Sequence, residues 1–315
     1  MNFLIYGAGA LGQALGCMLA CQGHTVDLIL RPRFKDTLEK SGLTVTGYFG
    51  EFATKGSQLG LYTSLDETAN SYNYALITTK AYDTASAAAS IAALEQRVEY
   101  VVSMQNGCGN IELVEQFFGT EKTLGARVIT GFEITGPGKV TITVSADDIH
   151  VGAPLADAIS PAAASLAKTI TEAGHPCRAV EDINRSLFAK LLYNCTLNPL
   201  GALLGVHYGL LGKNRETVAV MNRIIDETFA VITGLGGSTD WADSDQYKEV
   251  FYSELLPVTA SHRPSMLQDM ENHKPTEVDA LIGYVSRQGQ LLDIATPTCD
   301  TLAAMVKFKQ AQYLQ

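Results

Sequence analysis

Lys190, Asn194 and Asn198 recur at i, i+4 and i+8 in the run NRSLFAKLLYNCTLNPLGALL, residues 184–204. On a helix that spacing puts one ammonium and two amides on a single side. Leu187, Phe188, Ala189, Leu191, Leu192, Tyr193 and Leu197 leave the helix almost no solvated face, and a helix that is apolar all round is normally buried. A buried cation and two buried amides cost several kcal/mol unless something hydrogen-bonds them. Either neighbouring backbone groups satisfy them, or the stripe faces a polar ligand. Desolvation would push the Lys190 pKa down, and the amides would orient a polar ligand without adding charge. Pro199 directly follows the stripe and predicts a kink or break.

A second constellation opens the chain. The apolar run 2–6 leads into Gly7-Ala8-Gly9-Ala10-Leu11-Gly12 and then into a helical pattern carrying Leu15, Leu19 and Ala20. Strand, GxGxxG and helix form the dinucleotide fingerprint. Its first glycine makes the turn, the second lets backbone approach a pyrophosphate, and the third lets helix and strand pack closely. The helix N-terminus would present amides and the positive end of its dipole to the phosphates. The next strand, 25–30, ends neutral and is followed by Arg31-Pro32-Arg33. An NAD-preferring site carries an acid there; an arginine suits a 2′-phosphate, so the expected cofactor is NADP.

Stepping outward, the elements that would hold these groups alternate between strand and helix. Strands are expected near 43–46, at 74–80 and at 100–104, with helices at 84–94 and 110–118. Lys80 and the Gln105-Asn106-Gly107 turn fall at carboxyl ends of strands, where open α/β sheets bind ligands; solvation and plain turn chemistry are the competing readings. The run ITGPGKVTITV, beyond Gly131, reads as a hairpin added to the sheet. A helix near 161–173 and a strand at 175–180 close this half. The pattern then turns nearly all helical, with helices expected at 215–235, 243–256, 276–287 and 297–312. The fold class is therefore an α/β Rossmann domain with an added hairpin, residues 1–181, followed by an all-α substrate domain, residues 182–315. Ser265, after Pro264, suits a helix N-cap, and Glu277 suits a first helical turn.

The chain has 315 residues, 46% of them hydrophobic and 18% charged, with a net charge of −10. Two globular domains fit that length. The acidic balance argues against nucleic acid and anionic membrane as partners, and no apolar run is long enough to span a bilayer. The six cysteines show no paired CxxC spacing, which suits a reduced, cytoplasmic protein. No zinc-type spacing occurs, so no metal is expected.

Together these motifs resemble the 2-dehydropantoate 2-reductase, or ketopantoate reductase, family over essentially the whole length. The resemblance rests on GAGALG at the start, TTKAYDT around Lys80, SMQNGCGN around Asn106, AKLLYNCTLNPLGAL around Lys190, PSMLQDMENHKPTEVD from Pro264 and IATPTCDTL from Ile294. It implies NADPH-dependent reduction of 2-dehydropantoate to pantoate, on the way to pantothenate and coenzyme A. By the same resemblance Lys190 would be the proton donor, and Asn194, Asn198 and Ser265 would bind substrate. Asn106 would touch substrate and cofactor. Gly7–Gly12, Arg31, Gly131 and Glu277 would line the cofactor, with Lys80 close by. Many members carry an asparagine that contacts substrate where this chain has Tyr208, which leaves the identity of the oxo acid open. A reductase of another branched 2-oxo acid and a non-catalytic NADP sensor are the alternatives, and a homodimer is left open.

Overall fold

The computed structural model describes residues 1–314. The chain divides into two compact units, one holding Met1–Gln105 and Asn110–Ile183, the other Asn106–Gly109 and the chain from Asn184 onward.

The first unit begins with β1 (Asn2–Tyr6), α1 (Ala10–Cys21), β2 (Thr25–Ile29), α2 (Pro32–Ser41), β3 (Leu43–Gly47), β4 (Phe52–Thr54) and β5 (Gly60–Tyr62). It continues through β6 (Tyr72–Ile77), α3 (Thr84–Ala92), β7 (Val98–Ser103), α4 (Asn110–Phe118) and β8 (Thr123–Arg127). It ends with β9 (Thr130–Gly136), β10 (Lys139–Ser145), β11 (Ile149–Ala153), α5 (Pro161–Glu172) and β12 (Cys177–Asp182). The main sheet runs β12-β11-β8-β7-β6-β1-β2-β5. From β8 through β5 every neighbouring pair is parallel, and only β11 meets β8 antiparallel. Parallel strands covered on both faces carry near-continuous apolar runs, and the alternation of side chains divides those runs between two cores. Phe3, Ile5, Tyr74, Leu76 and Val102 enter one core, with Leu15, Met18 and Leu19 of α1. Leu4, Ala75, Ile77 and Val101 enter the other, with Ala87, Ala88 and Ile91 of α3. A buried acid, Asp27 on β2, takes hydrogen bonds from the Tyr72 hydroxyl at 2.6 Å and the Asn70 amide at 2.8 Å.

The expected hairpin forms as β9 and β10, but it does not extend the main sheet. It builds a second sheet, β4-β3-β10-β9, in which β10 runs parallel to β3. Single-strand patterning reports that a strand exists and not which partner it takes, and β3 left the alternating α/β series to pair here.

The second unit holds α6 (Ile183–Leu204), α7 (Tyr208–Leu211), α8 (Arg215–Gly234), α9 (Ser244–Val250), α10 (Leu256–Val258), α11 (Ser265–Glu271), α12 (Ile282–Leu291) and α13 (Pro297–Ala311). Four expectations need correcting. Of the kink or break expected at Pro199, the break does not occur, and α6 runs on to Leu204. A proline inside a helix costs about 3 kcal/mol, and burial of Leu197, Leu200 and Ala202 offsets it. The helix expected at 243–256 is interrupted by a π-helical stretch, Phe251–Leu255; Pro257 cannot donate to the Ser253 carbonyl, and its ring would crowd that oxygen in a regular turn. The helix expected at 276–287 is a 3-10 turn, Val278–Ala280, followed by α12, so Glu277 precedes the turn. Ser265 is the first helical residue of α11, Pro264 takes the N-cap position, and the Ser265 hydroxyl donates to Asn198 instead.

Candidate active site

In the first unit the glycine loop lies where the strand order reverses, between β1 and its neighbours β6 and β2. Open α/β sheets bind ligands at that switch. Gly7 has φ +117, and a Cβ there would meet the Thr79 backbone nitrogen at 2.8 Å. Gly12 is equally committed, since a Cβ would meet the Gly7 carbonyl oxygen. Gly9 differs. A Cβ built on it would meet no protein atom nearer than 4.0 Å, so protein packing does not demand glycine there. It sits exposed at the N-cap of α1 with no capping side chain, and its bareness fits a pyrophosphate approaching the first-turn amides. Thr78 holds the loop, its hydroxyl donating to the Gly7 carbonyl at 2.6 Å. At the end of β7, Gln105 donates to Thr79 Oγ1 and the Lys80 carbonyl, both at 3.2 Å. Arg31 is exposed, just past the end of β2 at the N-cap of α2. Gly131 is the second residue of β9, where Thr143 and Val144 of the paired strand fill the space of a side chain, a packing reason for the residue that involves no ligand.

The second unit gathers Asn106, Asn194, Asn198, Ser265 and Glu277 into one hydrogen-bonded line. Asn106 Nδ2 donates to Glu277 Oε2 at 3.4 Å, Asn194 Nδ2 to Asn106 Oδ1 at 3.0 Å, and Asn198 Nδ2 to Asn194 Oδ1 at 3.2 Å. Asn198 Oδ1 in turn accepts from the Tyr208 hydroxyl at 3.2 Å and from Ser265 Oγ at 3.3 Å. The direction of this line follows from its end. A carboxylate only accepts, so Asn106 must turn its NH2 to Glu277 and its oxygen to Asn194, and each following amide inherits that sense. Both lone pairs of Asn198 Oδ1 are thereby engaged, so toward a substrate Asn198 acts as an N–H donor. Tyr208 is 3% exposed and stacks edge-on against Tyr193 at 5.9 Å. Burial, reinforced by Tyr193, pushes its phenol well up, which keeps it a neutral donor. Lys190 is half-buried one turn before Asn194 on α6.

Asn106 was legible as a polar turn residue at the end of a strand, but not as part of the second unit. The Cys108 amide donates to the Ala280 carbonyl at 2.8 Å, and Gly107, at φ +86, leaves no room for a Cβ against that same carbonyl. The glycine was the only sequence hint of that close approach. Among the described residues no group of His, Cys, Asp and Glu side chains could hold a metal ion, and no helix is long and apolar enough to cross a membrane.

Both units match family models. Residues 3–155 fit the model described as ketopantoate reductase PanE/ApbA, and residues 182–310 fit its C-terminal counterpart. The chain belongs to the ketopantoate reductase family. It is an oxidoreductase of that family, 37% identical over 310 residues to the 2-dehydropantoate 2-reductase of Aquifex aeolicus, with 98% of this chain and 97% of the relative covered. Its fold matches the crystal structure of 2-dehydropantoate 2-reductase from Geobacter metallireducens GS-15 at a TM-score of 0.86 and 26% identity, covering 98% and 99% of the two chains. It matches equally well, at a TM-score of 0.86, 26% identity and full coverage of both chains, the ternary structure of D-mandelate dehydrogenase with NADH and anilino(oxo)acetate.

Proposed function

We propose that this protein reduces 2-dehydropantoate to (R)-pantoate with NADPH, a step toward pantothenate and coenzyme A. The observation that carries this reading is the single line of side chains from Ser265 and Tyr208 through Asn198, Asn194 and Asn106 to Glu277. Three amides whose direction a carboxylate fixes are preorganised donors, and preorganised donors stabilise charge without reorganising during the reaction. A dinucleotide held by the glycine loop would supply the hydride. Lys190 gives the proton to the ketone oxygen, so one ketone, one hydride and one proton become one secondary alcohol. The N–H of Asn198 that does not face Asn194 suits an acceptor such as the substrate carboxylate. Ser265, its proton committed to Asn198, accepts from a hydroxyl. The Gly9 surface and the α1 N-terminus suit the pyrophosphate, Arg31 the 2′-phosphate of NADP, and Lys80 and Glu277 other parts of the dinucleotide.

A second reading keeps the chemistry and changes the substrate to another 2-oxo acid. It is favoured by Tyr208, which fills space beside Asn198 where an amide is common in the family, and by the likeness to a dehydrogenase of an aryl hydroxy acid. The two are separated by comparing kcat/KM for 2-dehydropantoate and for 2-oxoisovalerate, which lacks the terminal hydroxyl. A site built to bond a hydroxyl rejects the analogue lacking it, because its own polar groups are left unpaired. A clear preference for 2-dehydropantoate is expected. Preference for 2-oxoisovalerate would sink the pantothenate assignment and leave the reductase standing, while NADPH binding without turnover of any oxo acid would favour a sensor.

A further inference from the structure

The acid that ends the amide line sits on an irregular segment between α11 and the 3-10 turn, and beyond its bonds back to α11 that segment is held by the end of the chain. Tyr313 donates its hydroxyl to the Lys274 carbonyl at 3.0 Å and stacks on His273 with ring centroids 5.4 Å apart. His273 is one of few non-glycine residues with positive φ, at +52, a conformation that persists only where surroundings fix it. Gln310, on the last turn of α13, uses one oxygen to accept from both the Thr276 amide at 2.8 Å and the Thr276 hydroxyl at 2.9 Å. Thr276 is 4% exposed, so without Gln310 those two donors would lose their partner away from water. Glu277 is the next residue. The residue before Gln310 reaches the other end of the line. Lys309 Nζ donates to the Ala202 and Leu203 carbonyls at 3.3 Å each, which lie in the last turn of α6, where a cation also complements the helix dipole. Ala202 stands one turn beyond Asn198.

We infer that Lys309 and Gln310 form a clamp that sets the spacing between the amides on α6 and the carboxylate of Glu277, and that Gln310 is a positioning residue for the reductase. The Asn106–Glu277 bond is 3.4 Å long, near the outer limit for a hydrogen bond, so a small displacement of Thr276 breaks it. With that bond lost, the carboxylate no longer imposes the sense of Asn106, nor through it that of Asn194 and Asn198. The effect on catalysis rests on the proposed role of Asn194 and Asn198 as substrate contacts.

Gln310→Met removes the acceptor at similar length, Gln310→Glu keeps an acceptor, and Thr276→Val removes one of the two donors while keeping the shape. With 2-dehydropantoate, Gln310→Met should raise KM about tenfold while kcat changes less than about threefold, because orientation in binding is lost and the proton donor is not. Gln310→Glu should restore most of the loss, and Thr276→Val should move KM in the same direction by less. A purely structural role would lower the melting temperature without this split and without rescue. The side-chain amide protons of Asn106, followed by NMR in isotope-labelled protein, give a readout that needs no turnover. They should be protected from exchange in the parent and lose that protection in Gln310→Met, or in Thr276→Val if the first variant does not fold. Unchanged Asn106 protection, or parent-like KM in a folded Gln310→Met, overturns the clamp. A parent that turns over no oxo acid but shows the protection change leaves the clamp standing and removes the proposed substrate.

Discussion

Lys190 is the proton donor of the proposed reaction. It lies half-buried on α6, one turn before Asn194 in the hydrogen-bonded line. Lys190→Ala should fold, retain NADPH binding and lose about 10²-fold or more in kcat, as removal of a general acid does. Near-parent turnover would move the proton elsewhere and make Lys80 the candidate. In the proposed function Arg31 meets the 2′-phosphate, so Arg31→Ala should weaken NADPH by roughly 1–3 kcal/mol, the value of a charge-assisted contact, and leave NADH nearly unchanged. Equal losses in titrations with both dinucleotides would mean the arginine does not recognise the 2′-phosphate. Tyr208→Phe takes one of two donors from Asn198 Oδ1 and should lower kcat/KM by about tenfold, in keeping with one buried hydrogen bond; an unchanged value would show that Ser265 alone holds that amide. The Lys190, Asn194 and Asn198 stripe was legible because helical spacing is a rule of geometry. The place of Asn106 beside them came only from the family resemblance, because 88 residues separate it from Asn194 and no local rule spans that distance. Ser265 was legible as a helix-start residue, but its hydroxyl turned from capping to Asn198.

Elements were predictable where one force dominates. The strand at 2–6, the glycine loop and α1 follow from burial period and backbone freedom, and they stand where expected. Errors fell where tertiary packing overrode a local signal, as with Pro199 inside α6, or where partner choice mattered, as with the hairpin of β9 and β10. The sheet also carries a polar commitment that periodicity hides. Asp27 is 2% exposed and bonded by Tyr72, itself a phenol pushed up by burial and then by that acid. Tyr72→Phe should cost roughly 1–3 kcal/mol, because a buried carboxylate loses a donor. A thermal unfolding curve superposable on that of the parent would show that Asn70 alone satisfies the acid.

At the scale of the whole chain, composition and the change from alternating strands and helices to helices alone gave the two-part plan. The fold of each unit then explains why its motif has its form. A dinucleotide needs a turn without side chains at a sheet switch point, and a ketone needs donors fixed in direction on a buried helix. Both are present, and both family models fall on the units that hold them. The most direct measurement is steady-state oxidation of NADPH by the purified protein with 2-dehydropantoate, with NADH run in parallel and the product identified as pantoate. The account predicts one pantoate formed per NADPH consumed, with kcat/KM higher for NADPH than for NADH. Absence of pantoate under saturating NADPH, in a protein that binds the dinucleotide, would contradict it.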